Sequence, residues 1–255
     1  MRNFFRASYA PVISIDELNG NCLVTDYDGN FTLLNLSKNK MKKLFDGFIF
    51  DIDGTLTSTN QLIFDSFNFI ARKYLGKTFT DEEIIAMFGP PENKILRDLC
   101  VDNFESARKD YFDYYSENHW KAELYSGIKE ILGYLKNKKY PVGIFTGKGR
   151  NASLITLNKL GIDQFFDLII TGDDVENHKP SPEGILKFVN HFKLKPERVL
   201  MIGDSDGDVK ASKEAGVKIA SVLWDSYAHE IVRKMQSDYY FHSVKELTDF
   251  LLKNS

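Results

Sequence analysis

The sequence predicts a doubly wound, Rossmann-like α/β fold, in which helices cover both faces of a parallel sheet. From residue 44 onward, short apolar runs alternate with amphipathic helical patterns. The runs are apolar at consecutive positions, as expected for strands that are buried on both faces. The helical patterns have recognisable ends, such as Gly161 after residues 151–160 and Ser181-Pro182 before the next pattern.

Five apolar runs are predicted as strands of the sheet: FIFD (48–51), VGIFT (142–146), LIITG (168–172), VLMIGD (199–204) and IASVLW (219–224). Residues 126–138 and 151–160 are the helical patterns that flank the second run. Alternation of this kind is typical of parallel sheets, since each parallel connection needs a crossover helix.

Residues 58–125 interrupt this alternation, because they show helix signals and no convincing strand. Apolar residues keep helical spacing from Ile63 to Tyr74, Thr80 and Glu83 have the spacing of a capping box, and Pro91 is suited to a helix start. The aromatic residues of 111–120 recur at helical spacing. We therefore predict a helical cap at 58–125, with an aromatic core, inserted between core segments 44–57 and 126–255. It should lie over the carboxyl edge of the sheet, where open α/β folds bind ligands.

The first 43 residues are predicted to form a short β-hairpin extension. Strand patterns at 22–26 and 31–36 flank Asp28, Gly29 and Asn30, which favour a turn. This segment contains TDYDGNFTLL, which shares a DxDG pattern with FDIDGTLTST at 50–59. Since turn chemistry explains the first copy, Asp26 and Asp28 are predicted to be dispensable for activity.

Composition excludes several classes of protein. A net charge of -3 gives no electrostatic footprint for nucleic acid or an anionic membrane. The only cysteines, Cys22 and Cys100, are far apart and have no zinc-site spacing. No apolar run has the length of a signal peptide or membrane span. We expect a cytoplasmic protein, and nothing in the sequence indicates its oligomeric state.

Polar side chains follow the ends of the predicted strands. They are Asp51, Asp53, Thr146, Lys179, Asp204, Asp206 and Asp208. The carboxyl ends of parallel strands meet at one edge, so these carboxylates would repel one another unless a cation lay among them. Oxygen ligands favour a hard ion, with Mg²⁺ ahead of Ca²⁺ because no EF-hand spacing is present. Lys179 and Thr146 offer a positive charge and a hydroxyl donor to a phosphate, so we predict a phosphoryl-transfer site.

Four segments, FDIDGTLT, IFTGK, HKPSPE and GDSDGD, resemble in this order the four motifs of the haloacid dehalogenase (HAD) superfamily. The resemblance covers residues 44 to about 250, and the helical insertion is similar to the cap of the phosphoglycolate phosphatase-like and β-phosphoglucomutase-like branch. It implies a phosphoric monoester hydrolase that uses Mg²⁺ and acts on a small phosphorylated metabolite.

The resemblance also implies roles for single residues. Asp51 would attack phosphorus and form an aspartyl phosphate, and Asp53 would be the general acid and base. Mg²⁺ would be held by Asp51, the backbone carbonyl of Asp53, Asp204 and Asp208.

Thr146, the backbone N–H of Gly147, and Lys179 would bind the phosphoryl oxygens. Gly147 departs from the Asn or Ser of many relatives, which leaves only its backbone donor. Asp206 has no fixed family role, and we expect it to face solvent. Asp53 argues against carbon–halogen and carbon–phosphorus cleavage, because those branches lack an aspartate there.

Two other functions stay open. A phosphosugar mutase of the β-phosphoglucomutase type would share this core but would need basic cap residues, for which Arg72, Arg97 and Arg108 are available. A phospho-receiver signalling module has a similar residue set, but in a different order along the chain.

His178, His119 and Trp120 are assigned no catalytic role. The FGPPEN turn at 88–93 is either a plain interhelical turn or a contact to the leaving group.

Overall fold

The computed structural model describes residues 43–225 and 229–255 in full and, before them, only four strands. The chain divides into two compact units, Met1–Lys43 with Asn254 and Leu44–Lys253 with Ser255. The first unit contains an antiparallel sheet in the order β1-β2-β3-β4, formed by Phe4–Phe5, Ile13–Leu18, Asn21–Thr25 and Phe31–Asn35.

Strands β3 and β4 of this sheet pair antiparallel, with Cys22 opposite Leu34. The sequence predicts only these two strands, so β1 and β2 are additions to the expected hairpin. The predicted turn at Asp28, Gly29 and Asn30 lies outside the described residues, as does Asp26.

The second unit is built on a six-stranded sheet in which every pairing is parallel, in the order β12-β11-β10-β5-β8-β9. Its strands are β5 Gly47–Phe50, β8 Val142–Phe145, β9 Leu168–Ile170, β10 Val199–Gly203, β11 Lys218–Val222 and β12 Tyr239–Phe241. The five predicted strands are confirmed. The edge strand β12 was not predicted, because Tyr239–Phe241 is a short aromatic run between polar residues, whereas the equally short β9 is the aliphatic run Leu168–Ile170.

Helices lie on both faces of this sheet. One face is covered by α5 Ile128–Asn137, α6 Arg150–Lys159 and α10 Val244–Asn254, and the other by α7 Glu183–Phe192, α8 Asp206–Ala215 and α9 His229–Arg233. Phe48 and Phe50 of β5 pack in the first apolar cluster, whereas Ile49 packs in the second. All four β5 residues are therefore buried, and the doubly wound prediction is confirmed.

The inserted segment carries four α-helices: α1 Asn60–Ile70, α2 Asp81–Ile85, α3 Glu92–Leu99 and α4 Phe104–Glu117. The chain enters and leaves it through two antiparallel strands, β6 Thr57–Ser58 and β7 Glu123–Leu124. The expectation of no strand in this segment was wrong. Strands of two residues are too short to show a periodic pattern, so the sequence did not reveal them. No helix among the described residues has the length and apolar content to cross a bilayer.

The predicted helix-start signals are present in the structure. The Thr80 hydroxyl accepts a hydrogen bond from Glu83 N at 3.2 Å, and the Glu83 carboxylate accepts one from Thr80 N at 2.8 Å, which completes the capping box. Pro91 is the residue directly before α3. These signals were visible in the sequence because they are local.

The cap has an aromatic core, as its sequence predicts. Tyr111 and Tyr115 of α4 are fully buried, and the ring of Phe67 lies 5.0 Å from that of Tyr111. Trp120 is 75% exposed, so the prediction was wrong for that ring. Ala152 of α6 joins the same apolar cluster, which means that the cap packs onto the core.

His119 lies in this contact between cap and core. It is buried, and its Nε2 is 3.2 Å from the Thr156 hydroxyl oxygen of α6, which is also 2.8 Å from the Tyr115 hydroxyl. Burial, and then the ammonium groups of Lys148 and Lys159, lower the pKa of His119 to about 4. The imidazole is therefore neutral in the folded protein at neutral pH.

Acidification should destabilise the fold through His119. The unfolded chain binds this proton near the ordinary histidine pKa of about 6.5, and the folded chain binds it only near pH 4. The free energy of unfolding should therefore fall as pH falls between these values, by on the order of 3 kcal/mol. Denaturant unfolding at several pH values should show a shallower pH dependence for His119→Gln. The exposed His242 provides the matched control. A His242→Gln variant that reduces the slope equally would contradict this assignment.

Candidate active site

Three carboxylates converge at the carboxyl edge of the parallel sheet. Asp51 follows β5, Asp204 follows β10, and Asp208 lies in the first turn of α8. All three are buried, and one oxygen of each lies within 4.8 Å of the others. They meet because β5 and β10 are neighbours, with Asp51 N donating to Ile202 O at 2.9 Å.

Lys179 provides the positive charge of this cluster. Its Nζ lies 2.7 Å from Asp51 Oδ1 and 2.6 Å from Asp208 Oδ1, and its side chain is 9% exposed. Burial disfavours the charged form, but Asp208 and Asp51 outweigh it and raise the pKa of Lys179 above its ordinary value. The ammonium group is therefore charged and shared between two carboxylates.

One ammonium group does not balance three carboxylates. Burial, opposed by Lys179 and reinforced by Asp208 and Asp53, raises the pKa of Asp51 to about 6. Burial, Asp51 and Asp208 raise the pKa of Asp204 well above its usual range. Two negative charges remain when all three carboxylates are ionised, and one divalent cation would neutralise them. Buried, closely spaced oxygen donors of this kind suit a hard divalent ion.

The backbone around the cluster requires small residues. Gly54 has φ +77°, and a Cβ there would lie 2.5 Å from Asp204 Oδ2. A Cβ at Gly203 would overlap the Asp208 carboxylate. Next to Gly54, the Thr55 hydroxyl donates to Asp204 Oδ1 at 3.3 Å. Both glycines therefore allow the carboxylates to approach the chain closely.

Asp208 is fixed by the start of α8. Its Oδ2 accepts hydrogen bonds from Ser205 N at 3.0 Å and from the Ser205 hydroxyl at 2.6 Å, while Asp208 N donates to the same hydroxyl oxygen at 3.2 Å. This capping box leaves Oδ1 for Lys179. Asp206, the first residue of α8, pairs instead with Lys210, whose Nζ lies 2.6 Å from Asp206 Oδ2, and the Asp206 side chain is 44% exposed.

Asp53 turns away from the three-carboxylate cluster and contacts a different lysine. Both of its carboxylate oxygens lie 3.2 Å from Lys148 Nζ, and the Thr59 hydroxyl donates to Oδ1. Lys148 is also 3.7 Å from Glu92 Oε1 of the cap. Asp51 and Asp53, only two residues apart, are thus held by separate ammonium groups.

Thr146 and Gly147 begin the loop after β8. Thr146 is buried, and its hydroxyl oxygen accepts from Lys148 N at 3.2 Å, which leaves the hydroxyl hydrogen available to a ligand. A Cβ at Gly147 would lie 3.2 Å from Gly89 O of the FGPPEN turn. The turn therefore lies directly against this loop.

The family model described as haloacid dehalogenase-like hydrolase matches residues 48–222. The chain belongs to the haloacid dehalogenase-like hydrolase family. A pyrophosphatase PpaX from Halalkalibacterium halodurans is 34% identical over 204 residues, which are 80% of this chain and 95% of that protein.

Solved structures share the fold. The crystal structure of a predicted phosphoglycolate phosphatase from Haemophilus somnus has a TM-score of 0.72 at 23% identity, covering 81% of this chain and 98% of that one. CbbY from Rhodobacter sphaeroides, in complex with phosphate, has a TM-score of 0.69 at 21% identity, covering 80% and 96%.

Sequence reasoning missed two charged residues near the site of this HAD-like hydrolase. Lys148 closes the IFTGK motif, and Glu92 lies in the FGPPEN turn. Both segments were singled out, but the contact between residues 56 positions apart depends on where the cap lies. Nothing in the local pattern around either residue predicts it.

Two of the three cap arginines considered for a mutase contact other cap residues. The guanidinium carbon of Arg97 lies 4.0 Å from the Phe104 ring centroid, and Arg108 Nε lies 3.3 Å from Glu105 Oε2. Arg72 is exposed. These contacts give the mutase hypothesis no support.

Divalent cation should stabilise the fold through Asp204. We expect Mg²⁺ to raise the free energy of unfolding of EDTA-treated protein, by about 2.7 kcal/mol at a concentration of one hundred times its dissociation constant. Asp204→Asn should lose this response and, without metal, be at least as stable as the wild type, since it removes a buried repelled charge. Thermal unfolding with and without Mg²⁺ measures both effects.

The matched control is Asp206→Asn, because Asp206 belongs to the same segment but points to solvent. It should keep the wild-type response to Mg²⁺. Equal loss of the response in both variants, or no response in the wild type, would contradict the assignment of the cation to this cluster.

Proposed function

We propose that this protein is a Mg²⁺-dependent phosphatase that hydrolyses a small phosphorylated metabolite through an aspartyl phosphate on Asp51. The observation that carries the proposal is the convergence of Asp51, Asp204 and Asp208 around the Lys179 ammonium group. Asp51, Asp204 and Asp208, with the backbone carbonyl of Asp53, would hold the ion. When bound, Mg²⁺ supplies positive charge that offsets the carboxylates and stabilises the transferring phosphoryl group.

In the first step, a carboxylate oxygen of Asp51 attacks phosphorus and the bond from phosphorus to the leaving oxygen breaks. Asp53 gives a proton to that oxygen. Lys179, the Thr146 hydroxyl and the Gly147 N–H bind the phosphoryl oxygens, where negative charge must be stabilised. Thr146 supports this role, since its hydroxyl oxygen accepts from Lys148 N and its hydroxyl group can still donate to a phosphoryl oxygen.

In the second step, water attacks the phosphorus of the aspartyl phosphate while the Asp53 carboxylate takes its proton. The bond to the Asp51 oxygen breaks, releasing inorganic phosphate and restoring the free carboxylate. Asp53 suits both steps because its carboxylate lies outside the buried three-carboxylate cluster and is 22% exposed. It can therefore exchange protons with the leaving group and with water.

The cap would cover the site during this reaction. Its FGPPEN turn approaches the phosphate-binding loop at Gly147, and Glu92 accepts a hydrogen bond from Gly149 N at 2.6 Å. A cap that closes here excludes water and limits the size of the leaving group. Pyrophosphate is the first substrate to test, because a relative of 34% identity is named a pyrophosphatase.

Purified protein with Mg²⁺ should release phosphate from at least one member of a panel that contains pyrophosphate, phosphoglycolate, sugar phosphates and nucleoside monophosphates. EDTA should abolish the release. Asp51→Asn should lower kcat by at least roughly 10³-fold, because it removes the nucleophile. Mass spectrometry of acid-quenched turnover mixtures should find the phosphoryl group on Asp51.

The second DxDG copy provides a matched control. Asp28→Asn should keep wild-type activity, since its segment precedes the residues that match the family. Three results would count against the proposal: activity that survives EDTA, activity that survives Asp51→Asn, or isomerisation of a sugar phosphate with no release of inorganic phosphate.

A further inference from the structure

A second buried lysine connects the cap to the core. Lys148 Nζ lies 3.2 Å from both carboxylate oxygens of Asp53 and 3.7 Å from Glu92 Oε1. Its side chain is 2% exposed. Asp53 belongs to the core, whereas Glu92 is the first residue of cap helix α3. One ammonium group therefore contacts a carboxylate from each part.

Glu92 is fixed on its other oxygen as well. Its Oε2 accepts a hydrogen bond from Gly149 N at 2.6 Å, and its side chain is 7% exposed. A Cβ at residue 149 would lie 2.6 Å from the same oxygen. The start of α3 is thus attached to the segment after Thr146 and Gly147 through both oxygens of a single carboxylate.

The surroundings of Lys148 leave it few other partners. Its Nζ lies 5.0 Å from the centroid of the Tyr115 ring, and Tyr115 is fully buried. Burial disfavours the charge, but Asp53, Tyr115 and Glu92 raise the pKa of Lys148 well above its ordinary value. A buried charge that loses a partner is strongly destabilised. Moving α3 away would remove Glu92 from the ammonium group.

Asp53 is held from a second direction by the Thr59 hydroxyl, directly before α1. The carboxylate is therefore placed between a cap-entry residue and a lysine that itself depends on the cap. Lys148 touches neither Asp51, Asp204 nor Asp208 in any hydrogen bond or ion pair of the described residues. Its contacts are thus with the proton-transfer carboxylate rather than with the cation cluster.

We propose that Lys148 is a positioning residue that aligns Asp53 for proton transfer and couples this alignment to the docking of α3 through Glu92. The inference rests on the proposed function, because it takes Asp53 as the proton donor. Docking of the cap then does more than exclude water: it supplies the second carboxylate that keeps the ammonium group in place beside Asp53.

The test compares Lys148→Met and Glu92→Gln with the wild type on p-nitrophenyl phosphate and phenyl phosphate. Phenolate is the poorer leaving group and depends more on a proton from Asp53. Lys148→Met should lower kcat/KM for phenyl phosphate about tenfold more than for p-nitrophenyl phosphate, within the range that general acid catalysis contributes.

Glu92→Gln removes the second carboxylate that keeps Lys148 beside Asp53, so it should also lower kcat/KM for phenyl phosphate more than for p-nitrophenyl phosphate, in the same direction as Lys148→Met. It should increase amide hydrogen exchange in residues 92–99, because α3 loses its ionic contact to the core. The double variant should be no worse than Lys148→Met alone, since both changes break one connected network.

Lys94→Met is the matched control, because it breaks an exposed ion pair with Asp98 on the same helix. It should leave activity and exchange unchanged. Equal losses on both substrates for Lys148→Met would overturn the positioning role. Unchanged amide hydrogen exchange of residues 92–99 in Glu92→Gln would overturn the coupling. If Lys148→Met does not fold, this measurement alone tests the proposal.

The two proposals fail differently. Absence of Mg²⁺-dependent phosphatase activity in the wild type would contradict the proposed function, while hydrogen exchange would still test the docking of α3. Normal wild-type activity that disappears in Asp51→Asn, together with a substrate-independent loss in Lys148→Met, would contradict only the inference about Lys148.

Discussion

The contacts of Lys179 with Asp51 and Asp208 are the interaction on which the architecture of the site depends. Taking an ion out of water costs several kcal/mol, and three neighbouring carboxylates add mutual repulsion. A fixed ammonium group at 2.6 to 2.7 Å from two of them offsets part of this cost. The same ammonium group cannot neutralise all three carboxylates, so a net negative charge remains in the site. A bound cation, alone or together with a transferring phosphoryl group, can offset this remaining negative charge. The repulsion between the carboxylates therefore favours binding of a cation.

The parallel sheet explains how so polar a cluster can form over an apolar core. All residues of β5 and β10 are buried, and a one-residue register shift would move their side chains from one apolar cluster into the other. The register of the two strands therefore determines where the carboxylates of Asp51 and Asp204 lie. Glycine at 54 and 203 then removes the side chains that would otherwise block them. The Ser205–Asp208 capping box fixes the third carboxylate by local hydrogen bonds. Apolar packing thus fixes the positions of the strands, whereas the glycines and the capping hydrogen bonds fix the positions of the individual carboxylates.

This division explains which features the sequence could predict. The five predicted strands of the parallel sheet, the helix-start signals and the order of the polar residues depend on local patterns, and the strands and the Thr80 capping box are confirmed. The strands β6 and β7 have two residues each, too few for a periodic signal, and β12 is a three-residue aromatic run between polar residues. Trp120 continues the aromatic spacing of α4 but lies beyond the helix end, where the spacing no longer describes a face. The contact of Lys148 with Glu92 joins distant parts of the chain, so only the tertiary position of the cap reveals it.

The two lysines also explain how neighbouring carboxylates can have different chemistry. Asp51 and Asp53 are two residues apart and would share an environment if the strand simply continued. Instead, the chain turns at Gly54, whose N–H donates to Thr57 O at 2.9 Å. Asp51 contacts Lys179 within the buried cluster, while Asp53 faces Lys148 and retains access to solvent. The proposed nucleophile, Asp51, needs a fixed, shielded position, whereas the proposed proton carrier, Asp53, needs access to the leaving group and water. Because the two ammonium groups lie apart, the two aspartates have different environments although they are the same residue type.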